Sequence, residues 1–141
     1  MLVRLLYVSS LAPDATPACV EAIVQEGRSH NPQAGITGIL CYGGGIFLQA
    51  LEGGREAVNE LYKHIVQDKR HVKVHLLHYE EIAERRFGSW TMGKVDLNKI
   101  NTSTVLRYSE KPELDPYSVS GKVSLALLEE LMATACIIGR T

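Results

Sequence analysis

The chain has 141 residues, 45% of them hydrophobic, which suits one domain with a sizeable core. Its 15 basic and 16 acidic side chains are interspersed and leave a net charge of −1, which argues against the strongly basic surface of a nucleic-acid binder. No apolar run nears the ~20 residues of a membrane span. The apolar N-terminus carries Arg4 and no small-residue cleavage site, so no signal peptide and a cytoplasmic location are expected.

Leu2 to Ser9 reads as a first strand. Pro13 and Asp14 mark a loop, and Thr16 reads as the N-cap of a helix with Pro17 at its first position. Val20, Ile23, Val24 and Gly27 recur on one helical face. The helix is expected to stop near Ser29, because Pro32 disfavours helical geometry at Asn31. Ile36 to Tyr42 and Ile46 to Leu51 read as a hairpin around Gly43-Gly44-Gly45. Those glycines do not read as a phosphate loop, since neither a helix nor a Lys-Ser/Thr pair follows them.

A second helix is expected from about Arg55 to Val66, with Val58, Leu61, Tyr62 and Ile65 on one face. Val72 to Tyr79 reads as a fourth strand and Trp90 to Val95 as a fifth. The order is β-α-β-β-α-β plus an added strand, an α+β ferredoxin-like arrangement with two helices on one face of the sheet. Leu97 to Leu106 reads as helical turns, and Pro112 and Pro116 interrupt the pattern. Ser118 to Ile138 reads as a closing helix with Val123, Leu125, Leu127, Leu128, Leu131 and Met132 apolar. That arc is too broad to lie in water. One side is expected on the sheet face opposite the first two helices, and the rest against a second copy or a partner protein. The division is thus residues 1–95 as the main domain and 96–141 as a helical cap.

Gln49 interrupts an otherwise apolar strand. A primary amide facing a core costs roughly 1–3 kcal/mol if left unpaired, so it needs a partner inside. Tyr7, at the end of the first apolar run, and Asn31, just past the first helix, are the candidates. Together the three suit a polar planar ligand in an apolar pocket. They supply no strong acid, base or metal-ligand set.

Other residues carry two readings. Arg70 and His71 read either as a charged turn or as an anion clamp at the pocket mouth, because an arginine fork matches phosphate oxygens. Trp90 and Met92, two apart, share a strand face and read either as core or as side chains lying over a planar ring. His75 and His78, three apart on a strand, are expected to point to opposite faces. His64 and Asp68 are i, i+4 on a helix without a third metal ligand. Cys19, Cys41 and Cys136 read as reduced core thiols.

The chain resembles the BLUF domains, blue-light sensors that use FAD. The resemblance lies in Leu5-Leu6-Tyr7-Val8-Ser9-Ser10, Asn31-Pro32-Gln33-Ala34-Gly35-Ile36-Thr37-Gly38-Ile39-Leu40, Phe47-Leu48-Gln49-Ala50-Leu51-Glu52-Gly53, Asp68-Lys69-Arg70-His71 and Arg86-Phe87-Gly88-Ser89-Trp90-Thr91-Met92. It implies a flavin ring between the two helices, with Ile23 and Ile65 on either side and His30 nearby. Asn31 and Gln49 would bond the ring, Gln49 would also contact Tyr7, and Arg70 would meet the phosphates. It leaves open whether Trp90 or Met92 packs inward. The implied function is a photoreceptor, not an enzyme, which signals to a partner or through an oligomer. The rivals are a light-insensitive flavin-binding or oligomerisation module and a small ferredoxin-like hydrolase of the acylphosphatase type, whose glycine-rich anion loop followed by arginine is not evident.

Overall fold

A computed structural model describes residues 1–88, 90–131 and 138–140. The elements are β1 (Leu2–Leu11), α1 (Pro17–His30), β2 (Thr37–Gly43), β3 (Ile46–Gly54), α2 (Arg55–Gln67), β4 (His71–Ile82), β5 (Trp90–Asp96), α3 (Thr102–Tyr108), α4 (Gly121–Leu131) and β6 (Ile138–Arg140). A 3-10 turn over Leu97–Lys99 follows β5. Among the described residues the sheet runs β4-β1-β3-β2-β5-β6. β3 lies antiparallel between β1 and β2, which is the split βαβ arrangement expected from the element order.

β1 and β3 are apolar almost throughout because both their faces are covered. Val3, Leu5 and Tyr7 of β1 join Phe47 and Leu51 of β3 under Val20 and Val24 of α1 and Val58 of α2. Leu6, Val8, Leu48 and Ala50 face the other way, onto Phe87 and the leucines of α4. Strand alternation therefore sends Gln49 to the face covered by α1 and α2. The β1–β3 register sets it directly opposite Tyr7. The β2–β3 hairpin turns through Gly44 (φ 58°) and Gly45 (φ 77°), and two positive φ values in a two-residue loop call for glycine.

Several expectations are corrected. α1 continues to His30, and Asn31 keeps helical angles (φ −62°, ψ −40°) despite the proline that follows. The turn holds it there: its N–H donates to the Gly27 carbonyl, and its own carbonyl accepts from the N–H groups of Ala34 and Ile36. Thr16 occupies the N-cap position, but its hydroxyl makes no capping bond. The closing helix does not reach Ile138, which lies in β6, paired antiparallel with β5. A short apolar run such as Ile137-Ile138 fits a strand or a helix end equally well by pattern.

Among the described residues of this helix no surplus apolar arc is exposed. Leu125, Leu127, Leu128 and Leu131 are buried and Val123 is half-buried, so α4 completes the core on the sheet face opposite α1 and α2. Met132 and Cys136 lie outside the described residues. Cys41 is a buried thiol, pushed up by burial. Cys19 instead lies half-exposed in the first turn of α1, where hydrogen bonds from Thr16 hold its thiol below the usual range.

His75 and His78 do not point to opposite faces. The register of β4 against β1 slips between Leu6 and Tyr7, so that His78 pairs with Leu6 and His75 with Val8. Leu6 and Val8 both belong to the α4 side. The residue inserted by this bulge, Leu77, turns both histidines to that side, and the His75 ring meets Tyr117 edge-on at 5.2 Å.

Candidate functional site

At the centre of the α1/α2 face the Tyr7 hydroxyl donates to Gln49 Oε1 at 2.5 Å. Burial, followed by the neighbouring Tyr62 and Asp68, pushes the Tyr7 phenol well above its usual range, so it stays protonated as a donor. Gln49 Nε2 donates to Met92 Sδ at 3.3 Å. A thioether accepts but has no hydrogen to give, so the sulfur fixes which end of the amide faces β5. After these two bonds the amide retains one N–H and one lone pair for a ligand.

Tyr7, Asn31 and Gln49, all buried, form the floor of a cleft of about 530 Å³ between α1 and α2. That is within the usual size of a small-molecule site. Ile23 from α1 and Leu61 and Ile65 from α2 supply apolar walls, and Glu26, His30, His64, Asp68 and Arg70 gather toward the solvent side. His71 also lines the cleft. Its Nδ1 lies 2.8 Å from the Ser9 hydroxyl, its ring is 4.7 Å from that of Phe47, and burial pushes it below the ordinary histidine value. A larger hollow of about 880 Å³ lies beyond α2, lined by Leu5, Tyr62, Leu76 and Tyr79 among others. It is wide open, and among the described residues no buried polar group lines it.

The residues singled out in the sequence thus meet in one place. Tyr7, Ile23, His30, Asn31, Gln49, Ile65, Arg70 and His71 all line the cleft, and Met92 touches it through Gln49. The side chain of Trp90 lies outside the described features, as does Ser89. Arg70 is found engaged: its guanidinium bonds both oxygens of Asp68, at 2.6–3.1 Å, and both oxygens of Glu26, at 2.7 and 3.2 Å. These bonds from Arg70 hold the Asp68 carboxyl below its usual range. Glu26 was not singled out in the sequence. It lies three residues after Ile23 on the same helix face, and that spacing could have found it. His64 and Asp68 line the cleft together, and among the described residues no group of three His, Cys, Asp or Glu could hold a metal ion. No helix among them is long and apolar enough to cross a membrane.

The chain is 36% identical over 107 residues to the blue light- and temperature-regulated antirepressor BluF of Escherichia coli (strain K12), which covers 76% of this chain and 27% of that protein. It is 37% identical over 92 residues to the photoactivated adenylate cyclase subunit beta of Euglena longa, covering 11% of that protein. The chain therefore spans about a quarter or less of these curated relatives. Among solved structures, BlsA in its photo-activated state matches with a TM-score of 0.86 at 30% identity, covering 96% of this chain and 98% of BlsA. The dark-state structure of BlrB, a BLUF protein, matches with a TM-score of 0.76 at 33% identity, covering 94% and 95%. Residues 2–93 match the family described as sensors of blue-light using FAD, and the chain belongs to that family, the BLUF domains.

Proposed function

We propose that this protein binds FAD non-covalently in the cleft between α1 and α2 and reports blue light by rearranging the Tyr7–Gln49 hydrogen bond, as a sensor and not as an enzyme. The observation that carries the reading is the chain of contacts from Tyr7 Oη through the Gln49 amide to Met92 Sδ on the floor of that cleft. The residues present fit a flavin. Ile23 and Ile65 offer two apolar walls to a flat ring, and the Asn31 and Gln49 amides offer donors and acceptors to a carbonyl–imide edge. Among the described residues no cysteine lines the cleft, in keeping with non-covalent binding. His30, Arg70 and His71 complete the proposed lining.

A bound flavin supplies a strong one-electron oxidant on absorbing blue light. Tyr7 is the group placed to release an electron, and its hydroxyl proton has an acceptor already in place, Gln49 Oε1. When electron and proton return, the composition of the chain is unchanged, but the Gln49 amide is left rotated or tautomerised. In the rotated form Oε1 faces Met92 Sδ with no hydrogen between them, while Nε2 faces the Tyr7 oxygen. Two arrangements of unequal stability make Gln49 a bistable element that relaxes in the dark. Met92 reports the change to β5, and the signal passes to a second copy or a partner protein, with residues 96–141 as its route.

The test is the absorption spectrum of the purified protein before and after blue light. The native chain is expected to show a small red shift without bleaching, decaying in the dark. Gln49→Leu and Tyr7→Phe are each expected to bind flavin and lose the shift. An unaltered photocycle in either variant refutes the assigned roles.

A further inference from the structure

The floor of the cleft is uncharged and its mouth is not. A heteroaromatic ring that uses the amides of Asn31 and Gln49 sits on the floor, so any anionic tail it carries stays at the mouth, beside Arg70. The fork of Arg70 is already filled by Asp68 and Glu26. Asp68 is the fixed partner. It is two residues away, its Oδ1 also accepts the backbone N–H of Arg70 at 2.9 Å, and its side chain is 23% exposed. Glu26 reaches across from α1 with a side chain 55% exposed. Two carboxylates against one guanidinium leave a negative charge uncompensated. A phosphate monoester carries about −1.5 to −2 charge at pH 7. It gains the fork only by displacing a carboxylate, and the one free to leave is Glu26.

We propose that Glu26 is a specificity residue of this cleft: its carboxylate holds the Arg70 fork, gives way to the phosphate of a nucleotide flavin, and thereby weakens phosphorylated flavins relative to uncharged riboflavin. The proposal rests on the flavin reading above. Glu26→Gln keeps the length of the side chain and removes the competing charge. Arg70→Gln removes the fork itself.

Apoprotein is titrated with riboflavin, FMN and FAD, followed by quenching of flavin fluorescence, for the native chain and both variants. The titrations are run at low salt and pH 8. Glu26→Gln is expected to raise the FMN-to-riboflavin and FAD-to-riboflavin affinity ratios about two- to fivefold, the scale of a solvent-exposed charge pair. The gain is larger for FMN and shrinks as salt rises. Arg70→Gln is expected to lower both ratios. If riboflavin binds and Glu26→Gln leaves the ratios unchanged or lowers them, the proposal is overturned while the flavin reading stands. If the native chain binds none of the three, the flavin reading itself fails and the proposal falls with it.

Discussion

Gln49 Nε2 lies 3.3 Å from Met92 Sδ, and this contact orients the amide on which the proposed switch depends. The sulfur rejects the oxygen end of the amide, so the resting state has one preferred arrangement. Met92→Leu keeps the apolar volume and removes the acceptor. A net hydrogen bond of this kind is worth about 1 kcal/mol, so the variant is expected to rest in a mixture of amide orientations. Its flavin band should move part of the way to the illuminated position before any light, and the light-induced shift should shrink. Absorption spectra of the two proteins check this, and an unchanged resting band and amplitude count against the role of Met92.

A second prediction concerns a buried charge that the site does not use. Glu52 is wholly buried and its Oε2 takes two guanidinium bonds from Arg4, at 2.6 and 2.7 Å. It also accepts the backbone N–H groups of Arg86 at 3.1 Å and Phe87 at 2.6 Å, and so ties down the loop that leads into β5. Arg4→Met leaves the carboxylate buried without its counter-charge, which is expected to cost about 3–5 kcal/mol in urea unfolding. Arg4→Met combined with Glu52→Gln is expected to cost less than the sum of the two single changes.

The cap is docked through a close backbone approach. A Cβ at Gly121, the first residue of α4, would lie 2.3 Å from the Leu77 carbonyl oxygen, on the bulge of β4. Gly121→Ala forces the helix to shift and is expected to cost about 1–3 kcal/mol. Thermal unfolding checks the loss, and flavin binding at low temperature is expected to persist, because the cleft lies on the opposite face of the sheet.

Acid should weaken the fold through His71. Burial lowers its native pKa, while the unfolded chain titrates near 6.5. Between those values the unfolded state binds more protons, so stability rises with pH there. The contribution of His71 is complete above about pH 6.5 and is lost as pH falls below it. Urea midpoints at pH 8 and pH 5.5 are expected to differ less in His71→Gln than in the native chain. An equal difference in both shows that another group sets the acid limb.

The legibility of this chain follows from how local each feature is. The apolar runs of β1 and β3, the Gln49 that interrupts the second and the Gly44-Gly45 turn are local, so the order of the first four strands and the need of Gln49 for a partner are legible, whereas β6 lies where the sequence reads as the end of a helix. Asn31 lies just past α1 as its position in the sequence suggests, but the turn bonds that keep it helical outweigh the influence of Pro32. The bulge of β4 leaves no mark on composition, so strand alternation alone sets His75 and His78 on opposite faces where the structure sets them on one. The burial of Glu52 depends on Arg4, a partner 48 residues away. Glu26 likewise meets Arg70 across 44 residues, whereas Asp68, two residues from Arg70, lay within reach of a sequence reading. The spacing of Trp90 and Met92 in the sequence does not separate them, and the tertiary contact with Gln49 singles out Met92.

The account stands on a change in the bonding of the Gln49 amide with light. Light-minus-dark infrared spectra of flavin-loaded protein, with glutamine carrying 13C at the side-chain carbonyl, observe that group directly. A pair of label-shifted amide bands is predicted in the native chain, lost in Gln49→Leu and in Tyr7→Phe. A light-induced flavin shift with no label-sensitive glutamine band would contradict it.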